Sequence, residues 1–278
     1  MTNYAYFNGE FGRFDEVKIP LSDRSIYFGD GCYDVLLVRG GRVYQFAEHY
    51  GRLVGNCAAL KIPFSFDARR MLSIIHRLCD LSCLSDAVVY IQVSRNGGKR
   101  QHEFDGGCVA NLLVTVGDFM LCEPSVLSAI TVEDRRHHIC NIKTVNLLCS
   151  VLALREANEA GCECAIFLHD GIVTEESRSN VFIFKNGRLV THATDNKILP
   201  GIMRSNVISL ARQIGIPVDE REFGIDELYG ADEVFVSSTT KFLRRVGRID
   251  GVCRGMMRND IFEMLYGGLM DDFLQKTE

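Results

Sequence analysis

Residues 141–148 read Asn-Ile-Lys-Thr-Val-Asn-Leu-Leu and place one lysine, Lys143, among apolar residues directly before a helix-compatible run. Taken alone, Lys143 is typical of a solvated surface lysine. Further along, the polar residues from Thr174 to Asn180 enter an apolar strand, and together the two stretches indicate an amine and a carboxylate gathered at one site. Burial disfavours the charged form of an amine, and a neutral amine can form a Schiff base with an aldehyde cofactor.

The composition limits the kind of protein. With 278 residues, 47% apolar and 24% charged, the chain can bury a large core and is predicted to form two modest domains or one large one. The net charge of -5 and the scattered lysines and arginines argue against a nucleic-acid partner. The sequence shows neither a charged-then-apolar leader nor an apolar run of membrane-spanning length, so we expect a cytoplasmic protein without a membrane partner.

The chain contains eleven cysteines, which we expect to be reduced thiols, most of them small core residues. Two stretches have metal-ligand chemistry. Cys79 and Cys83 are one helical turn apart, and His137-His138-Ile139-Cys140 joins imidazoles to a thiol. Neither stretch has a second half at the spacing of a zinc site, so no metal is predicted.

Turn residues organise the first part of the chain. Asn8-Gly9 supplies the positive φ angles of a tight hairpin turn, and Gly40-Gly41 predicts a second hairpin between strands over 35–38 and 43–46. Residues 95–104 form a polar, glycine-bearing loop that is too long for a simple hairpin turn, and such loops usually carry function. The other predicted elements here are helices over 47–60 and from the N-cap Asp67 to about Cys83, and strands over 87–94 and 109–116.

Residues 117–124 contain a proline and have no clear periodicity. We therefore predict domains over 1–118 and 125–278, joined by a linker over 119–124. In the second domain, residues 199–203 put a glycine and unpaired backbone N–H groups at a helix N-terminus, where a phosphate would be stabilised. Its other predicted elements are helices over 146–160, 202–214 and 256–274, and strands over 163–168, 181–185, 188–191 and 233–236.

Five motifs, taken in order, resemble those of the fold-type IV pyridoxal-phosphate enzymes. They are Phe28-Gly29-Asp30-Gly31, Glu48-His49 before Arg52-Leu53, Ile142-Lys143, Thr174-Glu175 before Ser179-Asn180-Val181, and Ser238-Thr239-Thr240. The resemblance spans nearly the whole chain. It implies an α/β (α+β) fold with a smaller N-terminal domain and a larger C-terminal domain, with pyridoxal 5'-phosphate at their interface, in a homodimer.

This family contains D-amino acid aminotransferases, branched-chain L-amino acid aminotransferases and 4-amino-4-deoxychorismate lyases. Arg100 and His102, one residue apart on the polar loop, resemble the substrate-carboxylate trap of the first subgroup. We therefore expect a transaminase that moves an amino group between D-amino acids, of the D-alanine or D-glutamate type, and 2-oxo acids such as 2-oxoglutarate or pyruvate. The alternatives are the other two activities of this fold and a non-catalytic protein that only binds pyridoxal phosphate.

The resemblance also implies a role for individual residues. Lys143 would hold the cofactor covalently and then move the α-proton of the substrate. Glu175 would pair with the pyridine nitrogen, and Glu176 is the neighbouring carboxylate that could be mistaken for it. The phosphate would be held by Arg52, the backbone at Ile202 and Met203, and the hydroxyls of Ser238 and Thr239. The substrate carboxylate would be held by Tyr33, Arg100 and His102.

Overall fold

The computed structural model describes residues 3–97, 100–104, 107–121, 123–253 and 260–277, and these form two compact units. The first unit takes the described residues of Met1–Leu121, Ile142–Asn146 and Leu274–Glu278. The second takes those of Cys122–Asn141 and Leu147–Phe273. The short segment that holds Lys143 thus belongs to the first unit, although it follows residues of the second.

An antiparallel sheet is the frame of the first unit. In the described part of this unit six strands pair in the order β2-β1-β6-β5-β3-β4. The elements are β1 Tyr4–Phe7, β2 Glu10–Arg13, α1 Arg24–Phe28, β3 Gly31–Arg39, β4 Arg42–Val43, α2 Phe46–Ala59, α3 Ala68–Ser82, β5 Ala87–Asn96 and β6 Val109–Asp118. Side chains of α2, α3 and the sheet share one apolar core.

Helix α3 shows how local sequence specifies this unit. Its buried residues recur at helical spacing from Met71 through Ile75 and Leu78, so one stripe of the helix faces the core. The carboxylate of Asp67 accepts the N–H of Arg70 at 2.8 Å, which confirms the predicted N-cap. Cys83 ends the helix in a left-handed conformation.

The two predicted hairpins have different outcomes. Asn8 and Gly9 have φ angles of 48° and 111° and connect β1 to β2, as predicted. The strand expected over 43–46 is wrong beyond Val43, because β4 ends there and α2 begins at Phe46. Gln45 has a φ angle of 48°, and this left-handed residue turns the chain out of the sheet before a strand can continue.

The second unit is a mixed sheet that closes on itself. Six of its described strands form a ring in the order β10-β13-β14-β7-β8-β9, and β9 pairs again with β10. The elements are β7 Leu127–Glu133, α4 Leu148–Glu159, β8 Cys164–His169, β9 Ile172–Glu176, β10 Ser179–Lys185, β11 Arg188–Thr191, α5 Ile202–Gln213, β12 Val218–Glu220, α6 Ile225–Tyr229, β13 Glu233–Ser238, β14 Phe242–Ile249, β15 Val252–Cys253 and α7 Asp260–Thr277. The end of α7, from Leu274, belongs to the first unit.

Several elements of the second unit were not predicted, among them β7, β9 and β14. In β14 three arginines interrupt the apolar pattern of the strand. One of them, Arg245, is accommodated because its Nε donates to Glu233 at 2.9 Å within the sheet. Cys122 of the predicted linker and Met256, the predicted start of the last helix, lie outside the described residues. No helix in the described ranges combines the length and apolarity that crossing a membrane requires.

Candidate active site

The segment that carries Lys143 lies along the start of β3 in the first unit. Tyr33 donates its backbone N–H to the carbonyl of Lys143 at 2.9 Å, and Val145 donates to Gly31 at 3.1 Å. The side chain of Asn146 donates to the carbonyl of Gly29 at 3.0 Å. Gly29 has a left-handed φ of 60°, and a Cβ added at this position would collide with the side chain of Asn146. Glycine at this position therefore lets the two chain segments approach.

This pairing fixes the amine of Lys143 against an aromatic ring. The Nζ atom lies 4.5 Å from the ring centre of Tyr33, and Tyr33 stacks on Tyr90 of the adjoining strand at 5.4 Å. Lys143 is half-buried, so it is more accessible than the buried amine that its apolar neighbours predict. An amine beside an aromatic face has one side shielded from water and the other open to a reactant.

Arg100 and His102 lie on one exposed loop of the first unit and share one aromatic neighbour. The guanidinium carbon of Arg100 is 5.6 Å from the ring centre of Phe28. The imidazole of His102 is 5.3 Å from the same ring. The two predicted carboxylate-binding side chains are thus brought together on Phe28. Gly98 and Lys99 of the predicted loop lie outside the described residues.

Arg52 is held by a buried carboxylate. Its Nε and Nη2 atoms each donate to Asp34 at 2.8 Å, and His49, one turn earlier in α2, lies 2.7 Å from the same carboxylate. Burial alone would raise the pKa of Asp34, but the hydrogen bonds from His49 and Arg52 outweigh it and hold that pKa well below its ordinary value. Asp34 therefore stays charged and fixes the plane of the Arg52 guanidinium.

In the second unit, Glu175 stands in a row of polar residues on three adjacent strands. Glu175 of β9 pairs with Asn180 of β10, and Asn180 pairs in turn with Ser237 of β13. All three residues are buried. The side chain of Asn180 donates to Glu175 at 3.2 Å and to the carbonyl of Leu199 at 2.9 Å. The register of the sheet thus positions the carboxylate.

An arginine that the sequence did not identify contacts Glu175 from another strand end. The Nη1 atom of Arg136 donates to Glu175, and its Nη2 donates to Asp134 at 2.6 Å and to Thr174 at 3.3 Å. Burial lowers the pKa of Arg136, but its hydrogen bond to Asp134 and the charge of Glu175 raise it more strongly. We call Asp134, Arg136, Thr174, Glu175 and Asn180 the Glu175 cluster.

The neighbouring carboxylate, Glu176, has different partners. It accepts the hydroxyl of Ser177 at 2.6 Å and the Nζ of Lys241 at 3.3 Å. The Glu176 side chain is fully buried. These partners differ from those of Glu175, so Glu176 does not belong to the Glu175 cluster. The structure therefore gives the two candidates distinct environments.

The N-terminus of α5 lies against the same row of residues. The helix begins at Ile202 after the N-cap Gly201, and glycine offers no side chain to cap its first N–H groups. A Cβ at Gly201 would collide with the side chain of Asn180, so glycine brings this helix end close to Asn180. The side chain of Met203 is buried in the core, which leaves its backbone N–H for a ligand.

The predicted hydroxyls lie at the end of β13. Ser238 is the last residue of this strand, and its Oγ accepts the N–H of Lys241 at 3.3 Å. Thr239 follows in the turn and is partly exposed. Beside them, the buried hydroxyl of Ser237 has no hydrogen-bond partner among the residues that the structure describes. An unpaired buried hydroxyl next to an uncapped helix end is the kind of group that an anion satisfies.

One other group in the described part of the chain has metal-ligand chemistry. It consists of His192, Asp195 and Glu222. The Nζ of Lys197 already lies 2.8 Å from the Glu222 carboxylate. A bound dication would have to compete with this ammonium, so the group is best described as an ion-pair network.

Each unit, taken by itself, carries groups that fit part of a phosphorylated pyridine aldehyde. The first unit supplies an accessible amine at Lys143 beside an aromatic face. The second unit supplies a buried carboxylate for a ring nitrogen, and an uncapped helix N-terminus beside an unpaired hydroxyl for a phosphate. Each of these groups matches one functional part of such a molecule.

Comparison with known proteins identifies the family. The sequence profile described as Amino-transferase class IV matches residues 31–249. A D-alanine aminotransferase from Bacillus licheniformis is 36% identical over 250 residues, covering 88% of each chain. A D-alanine aminotransferase from Staphylococcus aureus (strain MSSA476) is 34% identical, covering 88% of this chain and 89% of the relative.

Solved structures share the fold. A branched-chain aminotransferase from Thermoproteus uzoniensis, crystallised with norvaline, superposes with a TM-score of 0.89 at 25% identity, covering 100% of this chain and 97% of that one. The architecture is therefore the α/β fold of the type IV aminotransferases. The chain belongs to the class IV aminotransferase family. Both the predicted family and the predicted fold class are confirmed.

Proposed function

We propose that this protein is a D-amino acid aminotransferase that works with pyridoxal 5'-phosphate. It would move an amino group between D-amino acids, of the D-alanine or D-glutamate type, and 2-oxo acids such as 2-oxoglutarate or pyruvate. The D-alanine aminotransferase relatives support this activity. The observation that carries the substrate class is the placement of Arg100 and His102 against Phe28 on one loop, because this pair can hold a carboxylate.

Bound pyridoxal 5'-phosphate supplies an electrophilic aldehyde and a ring that accepts electrons. We assign the covalent attachment to the Nζ of Lys143, which would later carry the proton of the substrate α-carbon. The ring nitrogen would be paired with Glu175, which Asn180 and Leu199 hold in place through hydrogen bonds of 3.2 and 3.0 Å. Arg136 balances the charge of this carboxylate from the protein side.

The phosphate would be held by both charges and dipoles. The backbone N–H groups of Ile202 and Met203 belong to the uncapped first turn of α5, and an anion is stabilised at such a position. The hydroxyls of Ser238 and Thr239 would add hydrogen bonds. Arg52 would add a positive charge, and its guanidinium is oriented by the ion pair with Asp34.

The substrate carboxylate would be held by Arg100 and His102, with Tyr33 completing the set. Arginine offers a planar fork that matches a carboxylate, and one imidazole nitrogen adds a donor beside it. Holding the carboxylate on this side would leave the α-hydrogen of a D-amino acid toward Lys143 and turn that of an L-amino acid away. The position of the carboxylate therefore selects the chirality.

The alternative activities are a branched-chain-type L-amino acid transaminase and a 4-amino-4-deoxychorismate lyase, both of the same fold. The pairing of Arg100 with His102 on Phe28 is the feature against them. A non-catalytic protein that only binds the cofactor is disfavoured, because Lys143 and Glu175 are both in place. Reaction of the bound cofactor with any amine would exclude that reading.

We also infer a homodimer. The described residues Leu148, Val151 and Leu152 of α4 are 69%, 59% and 59% exposed and follow one another at helical spacing. A contiguous apolar stripe of this kind typically marks a protein interface. Light scattering should give the mass of a dimer, and Val151→Glu should shift this mass toward that of the monomer.

Two further assignments complete the proposal. The domains would extend over 1–118 and 125–278, joined by the linker 119–124, although the segments 142–146 and 274–278 are part of the first compact unit. The cytoplasm would be the location, since the cysteines that the structure describes are free thiols, as is usual in a reducing compartment. Mass spectrometry of alkylated protein from cell extracts would show disulfides if the second assignment is wrong.

The deciding experiment is a screen of purified protein with D- and L-amino acids against 2-oxoglutarate and pyruvate. We expect turnover of D-alanine or D-glutamate and much slower turnover of L-alanine and L-leucine. Faster turnover of L-amino acids would instead favour the branched-chain type. Formation of 4-aminobenzoate and pyruvate from 4-amino-4-deoxychorismate would favour the lyase.

The covalent site can be tested independently of turnover. Reduction of the protein with borohydride should fix the pyridoxyl group on Lys143, and peptide mapping should find it there. The group on another lysine would contradict the assignment of Lys143. Lys143→Ala is the matched control and should carry no covalent pyridoxyl group after reduction.

A further inference from the structure

The loop that carries Arg100 and His102 needs an anchor. Its described residues 100–104 are all exposed. Ordering an exposed loop and its side chains at the moment of substrate binding would cost conformational entropy. A loop that already holds its shape would avoid this cost and keep the two side chains close together.

A single buried arginine donates hydrogen bonds to the backbone of this loop. Arg24, the first residue of α1, is 6% exposed. Its Nη1 donates to the carbonyl of Gln101 at 2.6 Å and, more weakly, to that of Glu103 at 3.5 Å. Its Nη2 donates to the carbonyl of His102 at 3.1 Å. One guanidinium thus engages three successive carbonyls.

Arg24 is itself held in place. Its Nε donates to Asp30 at 2.8 Å, and its guanidinium carbon lies 4.6 Å from the ring centre of Phe28. Phe28 is four residues later in the same short helix and contacts both Arg100 and His102. One helical turn therefore anchors the loop twice, through its carbonyls and through its side chains.

We propose that Arg24 is the positioning residue of the carboxylate-binding loop, and that it presets the geometry of Arg100 and His102 before substrate arrives. This inference rests on the proposed function for its kinetic consequence. Its structural consequence, an anchored loop, does not depend on any substrate. The two consequences can therefore be tested separately.

The chain offers a matched control in Arg95. Its Nε donates to the same oxygen of Asp30 at 2.9 Å, and it is 2% exposed. Its other hydrogen bonds go to the carbonyls of Leu60 and Lys61. Among the loop residues that the structure describes, it contacts Phe104, with its guanidinium carbon 3.7 Å from the ring centre. Arg95→Lys thus perturbs the same ion-pair network but leaves the loop carbonyls bonded.

The structural test is limited proteolysis with trypsin, with mass spectrometry to identify cleavage after Arg100. Arg24→Lys keeps the charge but loses the planar fork. We expect it to speed this cleavage by about tenfold or more, because cleavage follows the population of the open loop. Arg95→Lys should change it by less than about threefold when both variants are compared equally far below their Tm.

The kinetic test uses the same two variants. In Arg24→Lys, kcat/KM for D-alanine should fall by about tenfold or more, mainly through KM, while the half-reaction with an amine lacking a carboxylate should change less than about threefold. Arg95→Lys should affect both substrate types equally. If Arg24→Lys does not fold, Phe28→Leu should show the same pattern with a smaller effect.

The results that would overturn the inference are specific. An unchanged rate of cleavage after Arg100 in Arg24→Lys would show that the loop keeps its conformation without the hydrogen bonds from Arg24. Equal kinetic losses for both substrate types would show that Arg24 only stabilises the fold. The same conclusion would follow if the Arg24 and Arg95 variants gave equal cleavage rates and equal kinetic losses. A wild-type protein inactive with both D-alanine and D-glutamate would instead refute the proposed function and leave the cleavage result standing.

Discussion

The Glu175 cluster and the loop over 100–104 are built in opposite ways. Glu175 is buried on a strand, its position set by register with β10 and by hydrogen bonds from Arg136, Asn180 and Leu199. Arg100 and His102 are exposed, and their side chains share a contact with the ring of Phe28. Under the proposed assignments, the carboxylate for the cofactor is held on a rigid strand, and the side chains for the substrate carboxylate are held on a loop.

The two regions should also differ in energetic cost. Breaking a buried charge pair by removing one partner costs roughly 3 to 5 kcal/mol, because it leaves an uncompensated charge. Changing an exposed side chain usually alters stability by no more than about 0.5 kcal/mol. Variants of the loop can therefore be read as effects on function, whereas variants of the cluster need a measurement of stability beside them.

The largest effect is expected for Glu175→Gln. A neutral amide keeps the shape of the side chain but cannot hold the ring nitrogen protonated, so kcat should fall by about 10³-fold for every substrate. The measurement is steady-state turnover at saturating cofactor, with retained cofactor checked by absorbance.

Glu176→Gln is the matched control for this change. Its partners are Ser177 and Lys241, so it should lower stability by about 1 to 3 kcal/mol and leave most of the turnover. If Glu176→Gln loses more activity than Glu175→Gln, the two carboxylates have been assigned in the wrong order.

Arg100→Ala should reduce the preference for substrates that carry a carboxylate and leave the fold intact. We expect KM for D-alanine to rise, with a loss of roughly 2 to 4 kcal/mol in kcat/KM, because the carboxylate loses its charged partner. Amines without a carboxylate should be little affected, and Tm should stay unchanged since the side chain is exposed. Equal losses for both kinds of substrate would show that Arg100 does not bind the carboxylate.

Met203→Thr tests whether a side-chain hydroxyl at the start of α5 adds to the phosphate binding that we propose for the backbone N–H groups. The side chain is 2% exposed, so the smaller, polar residue should lower the free energy of unfolding by about 1 to 3 kcal/mol. An added hydroxyl at the phosphate should tighten the cofactor by about 1 kcal/mol. Unchanged cofactor affinity would indicate that the backbone N–H groups already satisfy the phosphate.

The smallest effect near neutral pH is expected for the acid dependence of folding stability. For both Asp34 and Asp134, burial raises the pKa, but hydrogen bonds from His49 and Arg52, or from Arg136, outweigh it and hold the pKa below the ordinary 3.8. A depressed pKa stabilises the fold above 3.8, and this stability is lost as the pH falls through the folded-state pKa. Urea unfolding at decreasing pH should show a shallower acid loss in Asp34→Asn; an unchanged slope would exclude Asp34 as a source.

The sequence by itself determined the elements that depend on near neighbours. The turn at Asn8-Gly9 and the cap at Asp67 follow from backbone and side-chain preferences of single residues. The ordered motifs were enough to predict the family and to select Lys143 and Glu175, because these residues stand in characteristic local patterns. Strand β14 was not predicted, because its arginines interrupt the apolar pattern of the sequence. In the fold, Glu233 pairs with one of these arginines, Arg245.

Only the tertiary structure decided which polar groups meet. Arg136 precedes Glu175 by 39 residues, and Arg24 precedes Gln101 by 77, so no local pattern relates them. Asn180 lies in a recognised motif, but its contact with Glu175 and with the start of α5 depends on strand register and on the missing side chain of Gly201. Pairing between distant residues is set by the register of sheets and the packing of helices, which a linear pattern does not contain.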